Sequence, residues 1–132
     1  MGTPVGPAEV SRSGKEDFMQ MESEQQGDIL VVIPMEPRLD AAQATDFKSA
    51  IVDRINDGHT RILLDLSHVD FMDSSGLGAM VSILKTIGRD GDLLLCGLGK
   101  TVESLFKLTR MNRVFRIFST REEALQAISA QG

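Results

Sequence analysis

The segment Val69-Asp-Phe-Met-Asp-Ser-Ser-Gly-Leu-Gly78 combines the residue types and spacing that could carry chemistry in this chain. Two hydroxyls, on Ser74 and Ser75, directly follow Asp73 where an apolar run ends and an amphipathic pattern begins. A helix start leaves backbone N–H groups without intrahelical partners, and its positive dipole end favours negative charge. A phosphate on either serine would be tolerated there. Gly76 and Gly78 keep bulky side chains off the first turn, so another protein's surface could approach the hydroxyl. The same letters also make an ordinary cap, since Asp and Ser are the commonest capping residues.

Other chemistries have less to work with. The chain has 132 residues, one cysteine, two histidines and neither Trp nor Tyr. Cys96 alone allows no internal disulfide and no cysteine-based metal centre, and it reads as a small hydrophobe in a buried strand. His59 and His68 read as loop residues without a ligand role. The net charge of −5 argues against bulk binding to nucleic acid or anionic lipid, and base-stacking aromatics are few. Gly97-Leu-Gly-Lys-Thr101 follows a strand and opens a helix, and Ile62-Leu-Leu-Asp65 resembles the Walker B strand of a nucleotide-binding enzyme. A phosphate loop, however, requires a glycine five positions before Gly99, where Leu94 stands.

These residues need elements to hold them. Residues 1–17 are rich in Gly, Pro and Ser and read as a disordered tail without the features of a signal peptide. The longest apolar run, Ile29 to Ile33, is far below the ~20 residues of a membrane span, so a soluble cytoplasmic placement is expected. A hairpin is predicted from Phe18 to Ile33, turning at Gln25-Gln26-Gly27-Asp28 and stopped by Pro34 and Pro37. Asp40 caps a helix over 41–56 with Ala44, Phe47, Ile51 and Ile55 on one face. Strands follow at 61–66, 93–96 and 114–118. Helices follow from Ser74, after Gly99, and from Ser119 or Thr120 to Ala130. In the Ser74 helix, Leu77, Val81 and Leu84 are expected to face the sheet and Met80 to fill the core. Ile83 is expected outside, as an apolar anchor for a partner. The order β-β-α-β-α-β-α-β-α requires right-handed crossovers and a largely parallel sheet.

Ile62-Leu-Leu-Asp-Leu-Ser67 followed by Phe71-Met-Asp-Ser-Ser-Gly-Leu-Gly78 resembles the STAS domain of bacterial anti-sigma-factor antagonists. The resemblance continues through Pro37-Arg-Leu-Asp40, Leu93-Leu-Leu-Cys-Gly97 and Val114-Phe-Arg-Ile-Phe-Ser119, covering residues 18–130. It implies an α/β STAS fold, a small mixed sheet with about four helices. It also implies a protein that is not an enzyme but the substrate of one. In such partner-switching systems a serine kinase that is also the anti-sigma factor phosphorylates the antagonist, and a PP2C-type phosphatase reverses the step. The unmodified form binds the kinase; the phosphorylated form releases it.

Carried onto this chain, the acceptor is Ser74, with Asp73 beside it and Asp40 on the neighbouring loop. Asp40, Asp73, Ser75, Gly76, Gly78 and Ile83 are the expected partner contacts. The kinase brings ATP and magnesium, so no cofactor and no metal are expected on this chain, which is read as a monomer. The motif before the first helix departs from the family's usual Gly-Glu-Leu-Asp, because Pro37-Arg38 fixes a φ angle and reverses a charge. Within the same resemblance, a STAS scaffold subunit of a membrane transporter complex is the alternative role.

Overall fold

The computed structural model describes residues 20–130; the expected tail at 1–17 and the expected hairpin start at Phe18 lie outside them. β1 (Met21–Gln26) and β2 (Ile29–Pro34) form an antiparallel hairpin whose register pairs Gln26 with Ile29. Gly27 turns it at φ +63°, a backbone conformation that glycine adopts without steric cost. β4 (Arg61–Asp65), β6 (Asp92–Cys96) and β7 (Arg116–Phe118) add parallel strands, giving a five-stranded sheet in the order β1-β2-β4-β6-β7.

The continuous apolar runs of β2, β4 and β6 follow from a sheet covered on both faces. Alternate side chains go to opposite sides. Leu30, Val32, Ile62, Leu64, Leu93 and Leu95 meet one apolar core, while Ile29, Val31, Ile33, Leu63, Leu94 and Cys96 meet another. The first core is covered by three helices: α1 (Ala41–Asn56) through Ala44, Phe47 and Ile51; α2 (Ser74–Ile87) through Leu77, Met80, Ile83 and Ile87; and α3 (Lys100–Leu108) through Val102 and Phe106. Phe106 meets Phe115 edge to face at 5.7 Å. The second core is closed by α4 (Arg121–Ala130) through Ala124 and Ile128. Thr120 Oγ1 accepts from the Glu123 N–H to start that helix, and Glu123 Oε1 accepts from the Ser119 N–H.

Three expectations need correction. The last strand is shorter than 114–118, because residues Met111–Arg113 form a 3-10 turn that leaves Val114 exposed before β7 begins. Ile83 does not face solvent; it is fully buried, as is Met80. Val81 and Leu84, expected against the sheet, are only partly buried and pack at the core's margin. The third concerns two strands absent from the expected order, β3 (Arg38–Leu39) and β5 (Phe71–Met72), which pair in parallel as a separate ladder.

Candidate functional site

The β3–β5 ladder builds the site, because it joins the loop before α1 to the loop before α2. Arg38 pairs with Phe71 and Leu39 with Met72. The Pro37 carbonyl accepts from the N–H groups of Asp70 (2.7 Å) and Phe71 (3.1 Å). Leu39 and Met72 point inward and are buried. The residues on either side, Arg38 and Asp40 on one strand and Phe71 and Asp73 on the other, therefore share the outer side. Asp40 and Asp73 each leave the ladder as the N-cap of a helix, so two caps stand side by side.

Both caps have strong local reasons in the sequence. Asp73 Oδ1 accepts from the N–H groups of Ser75 (2.9 Å) and Gly76 (3.1 Å), and its carbonyl accepts from the Leu77 N–H. Asp40 Oδ1 accepts from the Ala42 N–H, while its carbonyl accepts from Gln43 and Ala44. Substituting such a cap by Ala typically costs ~1 kcal/mol. Arg38 Nε donates to Asp40 Oδ2 at 3.2 Å, and the guanidinium lies 4.4 Å from the centre of the Phe71 ring. Hydrogen bonding from Arg38 holds the Asp40 carboxyl below the usual carboxylate range.

Ser74 and Ser75 are exposed on the first turn of α2, as is Gly78, which has open space about its Cα. Gly76 belongs to the interior instead. A Cβ there would overlap the Leu39 carbonyl oxygen and lie 2.8 Å from Met72 Cγ. The close approach it permits is therefore between α2 and β3 of this chain, not with another protein. Ile83, buried beneath α2, is likewise out of reach of a partner. Beside Ser75, α1 and α2 frame a shallow groove of about 320 Å³ that includes Thr45, Lys48 and Ser82.

Sequence reasoning missed a second acidic centre. Asp65, at the end of β4, is buried and accepts from Arg121 Nη2 (2.8 Å), Arg121 Nε (3.3 Å) and the Ser67 N–H (3.0 Å). Burial works to raise its pKa, but the bonds from Arg121 and Ser67 outweigh it and hold the carboxyl below its ordinary value. Arg121 also bonds Glu24 on β1. Asp65 and Arg121 are 56 positions apart, so no local pattern signals the pair. Next to it, burial and the Asp65 charge push the Cys96 thiol up to about 12.

The molecule is thus a buried sheet carrying two aspartate-capped helices, joined by a two-residue ladder beside an exposed serine. The STAS domain profile matches residues 20–124. The chain belongs to the STAS domain family. An anti-sigma-B factor antagonist of Listeria monocytogenes is 32% identical over 87 residues, 64% of this chain and 75% of its own. A Thermotoga neapolitana protein assigned as an anti-sigma factor antagonist is 32% identical over 106 residues, 79% of this chain and 93% of its own. The crystal structure of a Thermotoga maritima protein assigned to the same role superposes with a TM-score of 0.75 at 33% identity, covering 83% of this chain and 94% of that one. The STAS chain described here thus has the α/β fold of anti-sigma factor antagonists, with four helices and a mostly parallel sheet among its described residues. Among its described residues no helix is long and apolar enough to cross a membrane.

Proposed function

We propose that this STAS protein is a non-enzymatic anti-sigma factor antagonist controlled by phosphorylation of Ser74. In this reading the unmodified chain binds an anti-sigma factor that is also a serine kinase. Phosphorylation ends the complex, and a PP2C-type phosphatase restores binding. The observation that carries the reading is the exposure of Ser74 at the first position of α2, directly after the Asp73 cap and beside the Asp40 cap. Asp40, Asp73, Ser75 and Gly78 form the contact surface around it; Gly76 and Ile83 act from inside by fixing how α2 sits.

The direction of the switch follows from charge. A phosphate adds about −1.5 to −2 to a surface that already holds Asp40, Asp70 and Asp73. Like charges brought together in an interface cost several kcal/mol. A hundredfold change in affinity needs only about 2.7 kcal/mol. The relatives named for anti-sigma factor antagonism support the class of partner.

Titration calorimetry with the cognate anti-sigma kinase tests this. Ser74→Ala is expected to bind as tightly as the native chain and to accept no phosphate. Ser74→Asp is expected to weaken binding about a hundredfold. Equal affinity for Ser74→Asp and the native chain, or phosphate transferred to Ser75 instead, overturns the proposal.

A further inference from the structure

A phosphate at the start of α2 would find the usual anion-binding groups occupied. The Ser75 and Gly76 N–H groups already donate to the Asp73 carboxylate, and Leu77 donates to the Asp73 carbonyl. The neighbouring start of α1 is the same: Ala42 donates to the Asp40 carboxylate, and Gln43 and Ala44 donate to the Asp40 carbonyl. The phosphate would sit between two caps that each present a carboxylate, with Asp70 close by. Its neutralising partner must therefore be a side chain.

Arg38 is placed for that task. The parallel register sets it beside Phe71, three positions before Ser74 and on the outer side of the ladder. Its side chain is 58% exposed and so free to turn, and it engages Asp40 through Nε alone. Among the described residues its two terminal nitrogens have no hydrogen-bond acceptor, which leaves an open fork. Packing against the Phe71 ring keeps the guanidinium at the ladder. A phosphoserine dianion offers more charge than a carboxylate and matches an arginine fork with two oxygens.

We propose that Arg38 is the internal reader of the modification: it bonds Asp40 when Ser74 is free and moves to the phosphate when Ser74 is phosphorylated. This rests on the modification of Ser74 proposed above. The consequence is a double change at the docking surface. A phosphate appears, and the Asp40 carboxylate loses the cation that had balanced it. Both changes oppose a partner that recognised the unmodified surface.

The test installs phosphoserine at position 74 of the full chain during translation and follows its second ionisation by 31P NMR. A paired guanidinium favours the dianion, so the phosphate should titrate about half a pH unit higher in Arg38→Gln than in the native chain. Lys48→Gln, which removes the lysine of the groove beside Ser75, should leave the titration unchanged. In the native chain the Asp40 carboxyl, read by 13C shifts, should move up toward the ordinary carboxylate range on phosphorylation. Identical phosphate titrations in native and Arg38→Gln proteins overturn the proposal, and so does a shift that follows Lys48. Because the phosphate is installed without the kinase, a failed kinase-binding experiment would count against the functional reading and leave this measurement standing.

Discussion

Arg121 holds Asp65 with two nitrogens, at 2.8 and 3.3 Å, whereas Arg38 holds Asp40 with one, at 3.2 Å. The first carboxylate is 10% exposed and its arginine 29%; the second is 26% exposed and its arginine 58%. Charges removed from water must be matched closely or the fold loses their solvation, so a buried pair is a constraint. An exposed pair contributes little to stability and can exchange partners at little cost. The same two residue types thus serve as a fastener in one place and as a movable contact in the other.

The comparison breaks most visibly at Arg121. Arg121→Met leaves Asp65 buried without its cation and should lower unfolding stability by about 2 kcal/mol near neutral pH, less than for a fully buried pair because Arg121 is partly exposed. The sign with pH follows from the direction of the shift. In the native chain Asp65 titrates below its unfolded value, so its contribution is present above the unfolded pKa and disappears as pH falls through the folded one. In Arg121→Met the bonds and charge of the guanidinium are gone, so burial moves the Asp65 titration upward from its native position. The deficit should therefore be largest at neutral pH and shrink as the pH falls below the ordinary aspartate value of 3.8, which urea melts at neutral pH and at about pH 3 would show. A deficit that stays constant with pH would mean that Arg121 acts through packing alone.

Next in size is Gly76→Ala, which brings a methyl group against the Leu39 carbonyl and should cost about 1–3 kcal/mol. Gly78→Ala, two residues beyond Gly76 on the same helix but in open space, is the matched control and should change stability by under 1 kcal/mol. Thermal unfolding of the two variants separates internal fit from surface freedom. The smallest effect belongs to Arg38→Gln, whose melting temperature should stay within about 2 °C of the native chain. A larger fall would place the Arg38–Asp40 pair with the fasteners.

What the sequence makes legible here is what neighbours along the chain decide. Asp40 and Asp73 announce their helices because a cap acts on residues two and three positions away. The strands at 61–65 and 92–96 announce a doubly covered sheet because both their faces are apolar. Ile83 departs from its expected place for a different reason. Two overlapping stripes run down α2, one through Leu77, Val81 and Leu84 and one through Gly76, Met80, Ile83 and Ile87, and periodicity alone does not choose between them. The choice is made by Gly76, which seats the helix on the Leu39 backbone and rotates the second stripe inward. A glycine at the head of an apolar stripe was the available signal. The β3–β5 ladder has only two residues a side, too few for any alternation to show. Arg121 and Asp65 meet only once the chain has folded.

Cys96 offers a practical consequence. Its thiol is fully buried, and with a pKa of about 12 roughly one molecule in 10⁵ carries the thiolate at pH 7. Alkylating reagents react with thiolates, so the folded chain should be inert to them until the end of β6 is laid open. No second cysteine competes for the label. The rate of label uptake, taken with reagent in excess, then reports the opening of the native protein without denaturant and without an engineered cysteine. The residue with the least to do at the surface is the chain's own clock for how long its fold persists.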